Sequence, residues 1–172
     1  MKYFIMFSIS LIVLTFSPLV LAQNYSYELE DTYSFSCMDS EGTPVEIIED
    51  SELENMGRAS FTLDSHRNYY PNIVFNPAAF SQMDMRIRMF WFAHECGHHS
   101  LGHVRQLAFN NITVSNLESD TDCKAVHILT DDYDFSIEDI LHISSTLIYS
   151  SGLVRGHLPG PTRASFLLSC AF

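Results

Sequence analysis

The spacing of apolar positions divides the chain into three parts. Phe4 to Leu21 is almost continuously apolar, with Ser and Thr interspersed. From Tyr25 to Asn76 the apolar residues come in short alternations and runs, the period-two signature of strands. Tyr25, Tyr27 and Leu29 alternate with polar residues, and β-rich runs follow at Tyr33–Cys37, Val45–Ile48, Ala59–Leu63 and Asn72–Asn76. Glu41-Gly42-Thr43-Pro44 and Met56-Gly57 supply turn signals between them, and Pro71 and Pro77 bound the last run. Beyond Pro77 the period lengthens. A loop enters a long helix ending near Val104, with Ser81 as its candidate cap and Met83, Met85, Ile87, Phe90, Trp91 and Leu101 on its apolar faces. Residues 105–116 read as a connector, and a second helix runs from about Leu117 to Leu129. The acidic run Asp131–Asp134 ends it; lacking a glycine and spaced acids, that run reads as a solvated turn rather than a calcium loop. Ser136 and Asp139 then form a capping-box-like start, and Ile137, Ile140, Leu141, Ile143, Leu147 and Ile148 make a helical stripe that stops before Gly152. A short apolar helix reaches Cys170. Strands first and helices after predict an α+β fold, with a sheet in the N-terminal part and a mainly helical C-terminal half.

Composition places this domain outside the cytoplasm. Lys2, the apolar run, Pro18 and Val20-Leu21-Ala22 have the layout of a secretory signal peptide over residues 1–22. A retained membrane anchor is the other reading of that length, and the proline and cleavage site argue for removal. Residues 23–172 then form one domain, exported to the periplasm or secreted, with no stable membrane insertion after cleavage. Cys37, Cys96, Cys123 and Cys170 all follow the signal and suggest two structural disulfides, in any of three pairings. A formal net charge of −12 excludes nucleic acid as a natural partner. Asn24-Tyr-Ser26 and Asn111-Ile-Thr113 are formal glycosylation sequons.

The chemistry concentrates at His94-Glu95-Cys96-Gly97-His98, an H-E-x-x-H motif entered by the apolar run Met89–Ala93. At 100° per residue, helix positions four apart differ by only about 40°, so His94 and His98 project from one face. Two imidazoles so placed can bind one metal ion, with Glu95 at the flank to reach a water. Cys96 points about 160° away and His103 about 180° from His94, so neither joins that set. Twenty residues after His98, Glu118 and Asp122 are again four apart. Glu118 would complete a three-ligand site with an open fourth position, and Asp122 would receive a hydrogen bond from the far nitrogen of a ligand histidine. The plainer reading is that Glu118, Asp120 and Asp122 favour a helix start.

The pair of motifs, H-E-x-x-H at His94–His98 and E-x-x-x-D at Glu118–Asp122, resembles the gluzincin zinc metallopeptidases. Around Glu118, with Asp122 and Ala125, the sequence is most similar to the E-x-x-A-D-x-x-A pattern of the CAAX-processing and heat-shock proteases and their small relatives, the minigluzincins. Thr121 replaces the Ala of that pattern. The likeness covers roughly residues 71–130, with an echo in His157-Leu-Pro159 and Arg163, where Leu158 is an insertion. It implies one catalytic zinc held by His94, His98 and Glu118, with Glu95 as general base. It further implies that Asp122 orients a ligand, His157 stabilises an oxyanion, and Arg163 pairs with an acid such as Asp122. For the last two, an ordinary loop histidine and surface arginine are the alternatives. It also implies an antiparallel sheet whose edge strand, here Asn72–Asn76, lies beside the motif helix and takes a peptide or protein substrate as an added strand. A core strand is the equal alternative there. Metzincins are set aside, because they need Gly at 101 and His at 104, where this chain has Leu101 and Val104. The function expected is a zinc-dependent peptidase. The alternative is a non-enzymatic zinc-binding or partner-binding protein on a protease scaffold, for which Glu95 would have no use.

Overall fold

A computed structural model describes residues 26–29, 33–110, 117–150 and 159–171 of the chain. The signal peptide, Asn24, Asn111 and His157 lie outside the described residues. The fold is α+β. Strands β1 (Ser26–Leu29) and β2 (Tyr33–Ser36) form an antiparallel hairpin. Strands β3 (Glu46–Glu49), β4 (Gly57–Leu63) and β5 (Tyr69–Phe75) form a separate sheet in the order β3-β5-β4. That sheet is mixed rather than wholly antiparallel: β5 runs parallel to β3 and antiparallel to β4.

The segment Asn72–Asn76 is therefore not the edge. Asn72 to Phe75 belong to β5, the central strand, and β4 is the edge beside the motif helix. The near-continuous burial of Pro71, Asn72, Ile73 and Phe75 is what a strand covered on both faces shows. Pro71 is tolerated because β3 pairs only from Asn72 onward, so the missing N–H lies where no second neighbour asks for it. Asp64 closes the β4–β5 turn by accepting from the His66 and Asn68 amides, with Arg67 left-handed at φ 63°.

Pro77–Phe80 form the single turn α1, capped by Asn76. Ser81 ends α1 and does not start the next helix; α2 (Met85–Ser100) is capped by Asp84, whose side chain accepts from the Arg86 amide. Phe92 to Gly97 is buried without interruption, as in a helix packed on all sides. Phe92 stacks with Phe35 and meets Phe75 edge-on, each at 5.4 Å between ring centroids. Two turns on, the buried His99 Nε2–H donates to the Asn72 carbonyl at 3.0 Å. Burial holds the His99 imidazole down at about 4, so it is neutral.

The helix stops at Ser100. Gly102 takes φ 76°, a conformation open to glycine, and α3 (His103–Asn110) leaves in a new direction. The stretch read as a connector is thus partly helical. Helices α4 (Leu117–Asp132), α5 (Ile137–Leu147, with the Ser136/Asp139 capping box) and α6 (Gly160–Cys170) complete the fold. Two disulfides, Cys37–Cys96 and Cys123–Cys170, select one of the three pairings. Each ties a motif-bearing helix to a distant segment, with Cα atoms 5.7 Å and 5.2 Å apart. Two such bonds suit an oxidising environment. No helix of the described residues is long and apolar enough to cross a membrane.

Candidate metal centre

Helices α2 and α4 cross so closely that a Cβ on Gly97 would meet Thr121 Cγ2 at 2.8 Å and the Thr121 carbonyl at 3.2 Å. Only a glycine permits this approach, and the approach brings the two motifs together. His94 Nε2 lies 3.2 Å from Glu118 Oε2, and His98 Nε2 lies 3.5 Å from Glu118 Oε1. The ligand atoms of His94, His98 and Glu118 all fall within 4.8 Å of one another. Donors about 2.1 Å from a tetrahedral ion stand about 3.4 Å apart, so the three side chains fit one metal ion with little rearrangement.

The surroundings prepare His94 for that role. Its Nδ1 lies 2.8 Å from Asp122 Oδ1, which fixes Nδ1 as the protonated nitrogen and leaves the Nε2 lone pair for a metal. Burial alone would push this imidazole down, yet the Asp122 and Glu118 carboxylates, with Glu95 nearby, raise it to about 9. The site thus favours positive charge at this spot, which a metal ion supplies as well as a proton does. Burial also works to raise Asp122, but hydrogen bonds from His94 and Arg163 hold it below the ordinary carboxylate range. Arg163 grips Asp122 with two bonds, Nε to Oδ2 at 2.7 Å and Nη2 to Oδ1 at 2.6 Å. Such a planar fork is both strong and directional. The Arg163 guanidinium also sits over the Phe90 ring, 5.5 Å from its centroid.

His98 has a different partner. Its Nδ1 is 3.2 Å from Nδ1 of His103, and Thr121 Oγ1 lies 3.4 Å and 3.3 Å from the two. The Thr121 hydroxyl donates to the Leu117 carbonyl at 2.6 Å, so its oxygen accepts only from the imidazole that carries the Nδ1 proton. Burial and the neighbouring His98 push His103 down. A neutral His103 accepting at Nδ1 and a His98 donating from Nδ1 satisfy both rings and free His98 Nε2 for a metal. The 100° rule placed His103 on the far side of the helix. The break at Gly102 returns it to His98, and a glycine just past the motif was the signal for that break.

Glu95 lies beside the three ligands, and its Oε2 accepts from the Ala59 amide of β4 at 2.6 Å. Cys96 turns away from them into the bond with Cys37. Two cavities meet at His94, Glu95 and Gly57. One, of about 310 Å³, is walled by Met56, Ile87, Phe90, Trp91 and Leu147. The other, of about 320 Å³, runs between the start of β4 and helices α3 and α4, reaching Leu107 and Glu118. A Cβ on Gly57 would strike the Trp91 ring at 2.7 Å, so β4 lies directly on the first cavity's wall. The cleft thus offers an ion site, an adjacent carboxylate, a sheet edge and an apolar recess. The periodicity of the sequence does not show these walls as a cleft, because they come from six separate elements. Comparison with known proteins gives no match: no family model, curated protein or solved structure is significantly similar to the chain.

Proposed function

We propose that the chain is an exported zinc-dependent peptidase of gluzincin type. The observation that carries this reading is the convergence of His94, His98 and Glu118 with Glu95 alongside, on the wall of a cleft bordered by a sheet edge. Two imidazoles and one carboxylate are a borderline nitrogen-and-oxygen donor set suited to zinc, and three protein ligands leave a position open for chemistry. When bound there, zinc supplies Lewis acidity toward a peptide carbonyl and toward water. Glu95 takes the proton of the attacking water on a carboxylate oxygen and returns it to the leaving amine, acting first as base and then as acid. Asp122, held by Arg163, keeps His94 in its ligating tautomer, and His103 does the same for His98. The recess formed by Met56, Ile87, Phe90, Trp91 and Leu147 takes an apolar side chain of the substrate. An added substrate strand would run along β4, not along β5, which already has a neighbour on each side. The two disulfides suit a protein that works after export.

The test uses metal-loaded wild type and Glu95→Gln on a mixed peptide library, with products read by mass spectrometry. Zinc at one equivalent in both and cleavage by the wild type alone is the expected result. Zinc binding without cleavage in either would sink the peptidase in favour of a metal-binding protein.

A further inference from the structure

Strand β4 is the edge of its sheet, and residues along it alternate between facing β5 and facing away. The Ala59 N–H faces away from β5. An outward amide on an edge strand ordinarily goes to water or to an added strand. Here it is already engaged by the Glu95 side chain, 36 residues away in sequence, at 2.6 Å. That contact is the one hydrogen bond to the Glu95 carboxylate among the described residues, and it occupies Oε2 alone. A carboxylate has two oxygens and a free rotor. A short charge-assisted bond to one of them fixes the plane of the group and leaves Oε1 to do chemistry. The donor, moreover, is main chain in the very strand that borders both cavities, so it cannot swing as a side chain would.

We propose that the Ala59 main-chain N–H is the positioning group for Glu95. It holds Oε2 so that Oε1 is presented to the reacting water, and it locks the base into the frame of the strand along which substrate lies. The inference rests on the peptidase reading above and adds to it a residue whose side chain, a methyl, carries no chemical hint. With its amide taken, the β4 edge at Ala59 offers an incoming chain the carbonyl acceptor but not the donor.

The test compares Ala59→Pro, which puts a ring methylene in place of this donor, with Ala59→Ser, which keeps it. Proline is tolerated on edge strands where the N–H faces away from the sheet. Loss of one charge-assisted bond to the base is expected to lower kcat roughly 10- to 100-fold, with KM within about twofold and bound zinc unchanged; Ala59→Ser restores most of the loss. Amide hydrogen exchange supplies a second reading that does not need the proline variant to fold. The Ala59 amide is expected to be protected in the zinc-loaded wild type and to exchange at least about tenfold faster in Glu95→Ala, while the inward-facing Arg58 and Ser60 amides stay protected. An active wild type with an equally active Ala59→Pro overturns this inference alone. So does a rise in KM with kcat unchanged, which would give the amide to substrate, or an Ala59 amide whose exchange ignores Glu95. A zinc-loaded wild type that cuts nothing overturns the peptidase reading, and this inference with it.

Discussion

At the scale of single residues, the two candidate ligand histidines are held by unlike partners. His94 leans on a buried carboxylate locked by Arg163, whereas His98 leans on a neutral imidazole and a threonine oxygen. His103→Leu removes the better acceptor and leaves the His98 Nδ1–H only Thr121 Oγ1, at the long distance of 3.4 Å. The expected outcome is a loss of roughly tenfold in zinc affinity, the lower end of what such supporting partners contribute, measured by chelator competition. An affinity equal to wild type would show that His103 is packing alone. The residues that converge as a candidate ligand set were legible in the sequence, because i, i+4 spacing on a helix is a local property of His94 and His98 and of Glu118 and Asp122. His103 was not legible, since its place depends on where α2 stops. One residue in the left-handed region, Gly102, reverses the direction that helical geometry would assign it.

At the scale of elements, the centre exists because α2 and α4 approach to backbone distance at Gly97 and Thr121. Gly97→Ala forces a methyl into Thr121 Cγ2 and is expected to destabilise by about 1–3 kcal/mol, as overpacking does, and to weaken zinc binding by spreading His98 from Glu118. Adding Thr121→Ser, which deletes Cγ2 but keeps the hydroxyl on Leu117, should recover part of both losses. Urea melts and chelator competition on the two variants decide it, and an additive double variant would place the cause elsewhere. Thr121 thus sits directly against Gly97 in the α2–α4 contact. A second join links the turn after β2 to α3. Asp39 accepts from the Glu41 and Thr43 amides and pairs with Arg105 at 3.0 Å. Burial works to raise this carboxyl, but the Thr43 amide, Arg105 and the Glu41 amide together hold it below its ordinary value of 3.8. The unfolded chain therefore binds the proton more readily than the folded one. The stabilisation is complete above the unfolded pKa and is lost as pH falls through the lower folded one. Asp39→Asn should flatten the acid limb of a melting-temperature profile below about pH 4 and leave neutral pH with a constant offset; an unchanged acid limb would remove Asp39 from the account.

At the scale of the whole molecule, the strand runs, the helices and the division into a sheet part and a helical part could be read from periodicity, because each is set by residues within a few positions of one another. The strand order could not. Whether Asn72–Asn76 lies at the edge or the centre depends on β3 passing over to its far side, and no local pattern in Val45–Ile48 records that. The cysteine pairing is non-local in the same way, and it completes the structural logic. Cys37–Cys96 is buried in the core and joins α2 to the segment after β2, whereas Cys123–Cys170 joins α4, one residue beyond Asp122, to the end of the helix that carries Arg163. The sequence separations of 59 and 47 residues are close, so loop-closure entropy assigns each bond a similar stabilisation of about 4 kcal/mol. Their effects on the metal should nonetheless differ. Paired Cys123→Ala and Cys170→Ala frees the end of α6, loosens the Arg163 fork on Asp122 and so should lower zinc affinity several-fold as well as the melting temperature. Paired Cys37→Ala and Cys96→Ala should lower the melting temperature at least as much but leave zinc affinity of the folded protein near wild type, because Phe92, His99 and Gly97 still seat α2 between the sheet and α4. Thermal melts and chelator competition, run at a temperature where both variants are folded, separate the two effects. Equal losses of affinity would mean that the disulfides act only through global stability, and that the link from Cys170 through Arg163 to His94 carries nothing of its own.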